Sequence, residues 1–126
     1  LIPLEMESVV LETEGVAETA IIGIPDEIKG EVPLVFVRLA DGYQETEELK
    51  QQINAQIIQQ IGKIAAPKSI IFTDMLPKTV SGKIMRRLLK EIVVSGKVQG
   101  DITGLEDPAT VAQIQRIVAE RASVKR

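Results

Sequence analysis

Residues 46–61 place Leu49, Ile53, Ile57 and Ile61 four apart among Glu, Gln, Asn and Lys, with Ile58 widening the stripe and Gly62 just beyond. Such spacing lines up one face of a helix, so it predicts an amphipathic helix closed at Gly62. A second stripe, Ile84, Leu88, Leu89, Ile92 and Val93, predicts a helix opening at residue 83, with Ser81 as its N-cap. VAETAIIGI (16–24) and VPLVFVRL (32–39) are rich in β-branched residues, and PDEIKGE separates them with the turn formers Pro25, Asp26 and Gly30. They read as two strands joined by a seven-residue loop. SIIFT (69–73), after Pro67, is a short apolar run expected as a third strand buried against the first of these helices.

The ends of the chain are helical too. Pro3 with Glu5 and Glu7 suits a first helical turn, and Gly15 is placed to cap a helix over 3–14. Residues 95–107 form a Gly-rich connection, and Asp107-Pro108 supplies an N-cap and N1 pair for a last helix to about residue 122. No repeat or low-complexity tract interrupts this order. The expected fold class is α+β, with a small sheet of about three main strands packed against helices. The expected organisation is one domain over 1–126: a core over 1–94, the connection over 95–107 and a terminal helix over 108–122. A helix opening almost at the first residue, with no leading Met, is expected of a piece of a longer chain.

Composition narrows the chemistry. The chain has 126 residues, two Phe, one Tyr and no Trp, so its core must be aliphatic. Fifteen Lys and Arg against 18 Asp and Glu give a net charge of −3, which lacks the basic surface of a nucleic-acid binder. With no Cys and no His, disulfides, the usual zinc ligands and a Ser-His pair are excluded. Asp26, Glu27, Glu47 and Glu48 have no further ligand at a telling spacing, so no metal site is expected. No apolar run approaches the roughly 20 residues of a membrane span, and residues 1–10 lack signal-peptide chemistry. A soluble, cytoplasmic protein without nucleic-acid or membrane partners is the expectation.

The informative stretch is PKTVSGKIMRR, residues 77–87. Pro77 and Gly82 bracket a polar loop, Thr79 and Ser81 offer hydroxyls, and Lys83 is expected at a helix N-terminus that favours a phosphate or carboxylate. A lysine ammonium is a compact, mobile charge, suited to meeting a developing anion and then withdrawing. Ser-Gly-Lys at a helix start is also plain capping with a solvated cation. A P-loop is rejected, because Thr79, Val80 and Ser81 precede Gly82-Lys83 and Ile84 follows. Arg86, Arg87 and Lys90 fall opposite the apolar stripe, as the polar face of the helix. Lys29, Gly30 and Glu31 form an exposed turn of mixed charge, either solvated or an interface contact.

Residues 77–87 resemble the lysine motif of the adenylate-forming enzymes, Pro-Lys-Thr-x-Ser-Gly-Lys-Ile followed by a basic pair. PLEMESVV, AETAIIGIPDEIKGE and IAAPKSIIFTDMLPKT extend the resemblance, and GDITGLEDPATV is similar to the tail of acetyl-CoA and related short-chain synthetases. The chain is thus identified as similar to the C-terminal domain of an AMP-forming acyl-CoA synthetase, with the large N-terminal domain absent. The resemblance implies a ligase that joins ATP and a carboxylic acid as an acyl-adenylate and then passes the acyl group to CoA. Lys83 would be catalytic, stabilising charge during adenylation, and Pro77, Lys78, Thr79, Ser81 and Gly82 would hold it. Mg2+ would accompany ATP, bound mainly outside this chain, and a lysine acetyltransferase and deacetylase would act on Lys83. The family's hinge Asp and Gly-x-Arg segment would precede Leu1, so the chain alone is expected to be inactive. Val80 stands where acetyl-CoA synthetases often carry Arg, which counts against acetate itself. Two alternatives stay open: the equivalent domain of a peptide-synthetase adenylation unit, and a non-catalytic interaction domain of the same fold.

Overall fold

The computed structural model describes residues 3–98, 100 and 102–124. The chain forms two compact units that meet in sequence between Asp74 and Met75.

The first unit holds α1 (Pro3–Leu11), β1 (Val16–Asp26), β2 (Gly30–Leu39), α2 (Glu47–Gln60) and β3 (Ser69–Phe72), with a 3-10 turn at Lys63–Ala65. Its sheet runs β1-β2-β3, β1 antiparallel to β2 and β2 parallel to β3. A parallel pair needs a crossover, and α2 supplies it. Side chains alternate across a strand, so Val35 and Val37 of β2 face one side. There they share a core with Met6 and Val10 of α1, Leu49, Ile53 and Ile57 of α2, and Ile70 and Phe72 of β3. Leu34 and Phe36, on the opposite face, are buried as well. The aliphatic core and the burial of the third strand against α2 are as the sequence predicts.

Local chemistry fixes the element ends. Thr46 is extended, and its side chain accepts the Leu49 N–H at 3.1 Å, capping α2. Ile61 lies beyond the last turn and is 37% exposed, so the buried stripe ends at Ile57. Gly15 is not the cap of α1, which stops at Leu11; two turn bonds, Glu12 N–H to Val9 O and Thr13 N–H to Val10 O, finish the helix first. Gly15 instead has φ of 96° and meets the Tyr43 ring where a Cβ would stand, 2.6 Å from Cδ1. The buried Glu7 carboxylate of α1 accepts the Ile21 N–H at 2.8 Å, satisfying a donor that β1 turns away from β2.

The second unit holds α3 (Arg86–Ser95) and α4 (Ala109–Val124), which pack on each other. α3 buries Leu88, Leu89 and Ile92, and Gly96 closes it in the left-handed conformation at φ 77°. Arg87 pairs with Glu91 at 3.1 Å, one helical turn on. Asp107 caps α4, its Oδ1 accepting the Ala109 N–H at 3.0 Å, as Asp107-Pro108 predicts. Among the described residues no helix is long and apolar enough to cross a membrane.

Candidate functional site: a lysine hairpin

Residues 77–84 do not open a helix. α3 starts at Arg86, and its N-cap, Met85, makes no side-chain capping bond. The sequence expectation that Lys83 and Ile84 lie in the helix, with Ser81 as its cap, is therefore corrected. The reason is local. Gly82 adopts φ of 90°, a left-handed conformation that a helix cannot continue through. The Thr79 carbonyl then captures the Gly82 N–H at 2.8 Å, and the Lys83 carbonyl accepts the Thr79 N–H at 2.8 Å. Lys78 and Ile84 pair antiparallel, so the segment closes as a tight hairpin with glycine where a left-handed residue is required.

Thr79 is the internal brace of this hairpin. Its hydroxyl oxygen accepts the Lys83 N–H at 3.1 Å and shares a hydrogen bond with the Ser81 hydroxyl at 3.0 Å. The Met85 N–H donates to Pro77 O at 2.8 Å, closing the base, and Pro77 is buried. Lys78 and Thr79 are half-buried, whereas Ser81, Gly82 and Lys83 are exposed and Val80 at the tip is 77% exposed. Pro77, Lys78, Thr79, Ser81, Gly82 and Lys83 are thus brought together in one braced loop that presents a lysine to its surroundings. The helix-dipole source of anion attraction proposed from the sequence is replaced by the ammonium itself on a stiff support.

Periodicity could not have revealed this, because Ile84 fits a helical stripe as well as it fits a single bridge. The sequence reading also missed residues 104–106, which pair with the outer side of the hairpin through Thr79 and Leu105. The available signal was Leu105 itself, an apolar residue in a polar connection just ahead of Asp107-Pro108.

Lys29, Gly30 and Glu31 belong to the first unit. β1 continues to Asp26 and β2 begins at Gly30, so a three-residue turn replaces the seven-residue loop expected from sequence. Asp26 accounts for the shortening: its Oδ2 accepts the Lys29 N–H at 2.9 Å and the Ile28 N–H at 3.1 Å. The Lys29 amide bond, opposed by the cost of burial and aided by the Ile28 amide and the charges of Lys68 and Lys29, holds the Asp26 carboxyl below the usual carboxylate range. Gly30 takes φ of 81°, Glu31 lies in β2 against Gly23, and Ile28 at the turn is 94% exposed.

The sequence pattern of the AMP-binding enzyme C-terminal domain matches residues 5–83. The chain is 48% identical over 116 residues to the acetyl-coenzyme A synthetase of Pyrobaculum arsenaticum, covering 92% of this chain and 17% of that protein. It is 44% identical over 116 residues to the 3-hydroxypropionyl-coenzyme A synthetase of Sulfurisphaera tokodaii, covering 92% of this chain and 17% of the relative. The crystal structure of a Brucella canis acyl-CoA synthetase superposes with a TM-score of 0.66 at 39% identity, over 71% of this chain and 16% of that one. The chain therefore spans about one sixth of the length of the relatives it matches. With a braced, exposed lysine at the end of the matched region and an α+β fold shared with these structures, the chain belongs to the AMP-binding enzyme C-terminal domain family.

Proposed function

We infer that the chain works as the C-terminal domain of an AMP-forming acyl-CoA ligase for a short-chain acid, and that Lys83 is its adenylation lysine. The observation that carries the reading is the hairpin: an exposed ammonium on a backbone locked by Thr79 and Gly82, at the end of the family match. In the first half-reaction the substrate carboxylate oxygen attacks the α-phosphorus of ATP, the bond to the β-phosphate oxygen breaks, and pyrophosphate leaves. Negative charge grows on the phosphate oxygens, and a preorganised cation there lowers the barrier because it need not be reoriented as charge develops. Lys83 supplies that cation; Pro77, Lys78, Thr79, Ser81 and Gly82 aim it. In the second half-reaction CoA thiolate attacks the acyl carbonyl and AMP departs, with the domain presenting another face.

ATP, CoA, the acid and the N-terminal domain are the partners this reading assigns, in the cytoplasm. Mg2+ travels with ATP on residues outside this chain. Among the described residues no three His, Cys, Asp or Glu side chains gather into a metal-binding group. Relatives named for acetyl and for 3-hydroxypropionyl substrates match at nearly the same identity, which supports acid selection by the rest of the enzyme. A lysine acetyltransferase and a deacetylase are assigned to Lys83 on its exposure. The Lys29, Gly30 and Glu31 turn is assigned to contact with the N-terminal domain.

The test is the full-length protein with a panel of short-chain acids, read by acid-dependent pyrophosphate exchange and by acyl-CoA formation. Both activities with one or more acids are expected. Exchange with transfer only to a carrier-protein thiol would move the chain to the peptide-synthetase class, and neither activity would overturn the ligase reading.

A further inference from the structure

The family match ends at Lys83, yet the second unit carries a backbone connection to the lysine hairpin from beyond α3. Along residues 78–80 the hydrogen-bonding groups alternate in direction, as an antiparallel strand requires. The Thr79 N–H and carbonyl point inward, to Lys83 O and the Gly82 N–H. The Val80 N–H and the Lys78 carbonyl point outward, and both are met: Val80 N–H donates to Gly104 O at 3.3 Å, and Glu106 N–H donates to Lys78 O at 2.8 Å. Residues 104–106 thus bridge the outer edge of the hairpin over a single antiparallel pair, in the place of a third strand, and Leu105, opposite Thr79, is buried at 7% exposure.

This bridging segment is anchored at both ends. On one side the Leu105 N–H donates to Ile102 O at 3.0 Å, making a tight turn. On the other Asp107 caps α4, with its carbonyl accepting the Thr110 N–H at 3.1 Å in addition to the side-chain bond to Ala109. α4 is held in turn by the fully buried Ile114, by packing on α3, and by Gln115 Nε2 donating to Gly96 O at 3.1 Å. The bridge therefore adds two backbone hydrogen bonds and a buried side chain to a hairpin whose own pairing is short.

We propose that residues 104–106 are a positioning segment for Lys83, which fix the hairpin so that its ammonium is already placed when the acid and ATP are bound. The proposal rests on the adenylation role of Lys83. It assigns to the tail a part in the first half-reaction, where Lys83 acts, with its effect passing through the backbone of residues 78–80 that it bridges.

The experiment uses the full-length ligase. Glu106→Pro removes the N–H given to Lys78 O, Leu105→Ala removes the buried side chain, and Leu105→Met is the conservative partner. Pyrophosphate exchange is compared with thioester formation from supplied acyl-adenylate, with Lys83→Ala measured in parallel. Because a misplacement of about 1 Å can cost about 100-fold, exchange should fall about 10- to 100-fold in Glu106→Pro and Leu105→Ala. Thioester formation should hold, amide hydrogen exchange across 79–83 should quicken, and Leu105→Met should restore pyrophosphate exchange. If Glu106→Pro does not fold, the two Leu105 variants decide. Unchanged pyrophosphate exchange in both disruptive variants while Lys83→Ala loses it, or an equal fall in both half-reactions, overturns the positioning segment alone. An unaffected Lys83→Ala overturns the reading of Lys83 and the segment's role with it.

Discussion

Lys83 owes its place to two neighbours rather than to a helix. Gly82 turns the backbone through a left-handed conformation, and Thr79 ties the far side of that turn to the Lys83 amide. Thr79→Ser keeps the hydroxyl, whereas Thr79→Val keeps the shape and removes both the acceptor for the Lys83 N–H and the bond to Ser81. The valine variant should lower pyrophosphate exchange about 10-fold, with the serine variant near wild type, as a small displacement of a catalytic group entails. Equal activity in the two would show that the hydroxyl does not aim the lysine. Nε-acetylation of Lys83 removes the charge itself, so stoichiometric acetylation of the full-length protein should silence adenylation, checked by mass spectrometry of the protein beside its exchange activity. Full activity with the lysine acetylated would contradict its role.

At the scale of the element, two carboxylates hold backbone amides and make separate expectations. Glu7 of α1 is buried and accepts the Ile21 N–H of β1. Glu7→Ala leaves a strand donor without that acceptor, which should cost about 1–3 kcal/mol in urea unfolding, while Glu7→Gln, which keeps an acceptor, should cost less. A neutral alanine variant would mean the amide finds water. Asp26 shapes the turn between β1 and β2, and the amides it accepts stabilise its charged form, so its pKa is depressed from 3.8. A depressed carboxylate contributes stability above its unfolded pKa and loses it as pH falls through the folded value. The turn should therefore hold at neutral pH and weaken only below the ordinary range, with a carboxyl NMR titration of Asp26 inflecting below 3.8. An inflection at or above that value would contradict the assignment of the amide bonds.

For the molecule as a whole, much was legible because it rests on period and composition. The four-residue spacing of Leu49, Ile53 and Ile57 finds α2, the β-branched runs find β1 and β2, and Asp107-Pro108 finds the start of α4. The opening of α3 was misplaced because Ile84 sits in phase with Leu88, while the left-handed Gly82 and a threonine side chain, which periodicity does not weigh, decide the local backbone. The parallel pairing of β3 with β2 and the pairing of Leu105 with Thr79 join residues far apart in sequence, so no local pattern carries them. The motif singled out Lys83 and the loop residues expected to hold it, whereas the hairpin those residues form and its bridge to Leu105 were not legible.

The most direct measurement is Lys83→Ala in the full-length protein, with both half-reactions followed on one preparation. Removing one preorganised cation from a charge-developing transition state should cost about 3–4 kcal/mol, about 10²- to 10³-fold in pyrophosphate exchange. The melting temperature should barely change, because Lys83 is exposed and its removal disturbs no packing. Thioester formation from preformed acyl-adenylate and CoA should survive at the wild-type rate. A common fall in both half-reactions with an unchanged melting temperature, or no fall in either, would contradict a lysine confined to adenylation.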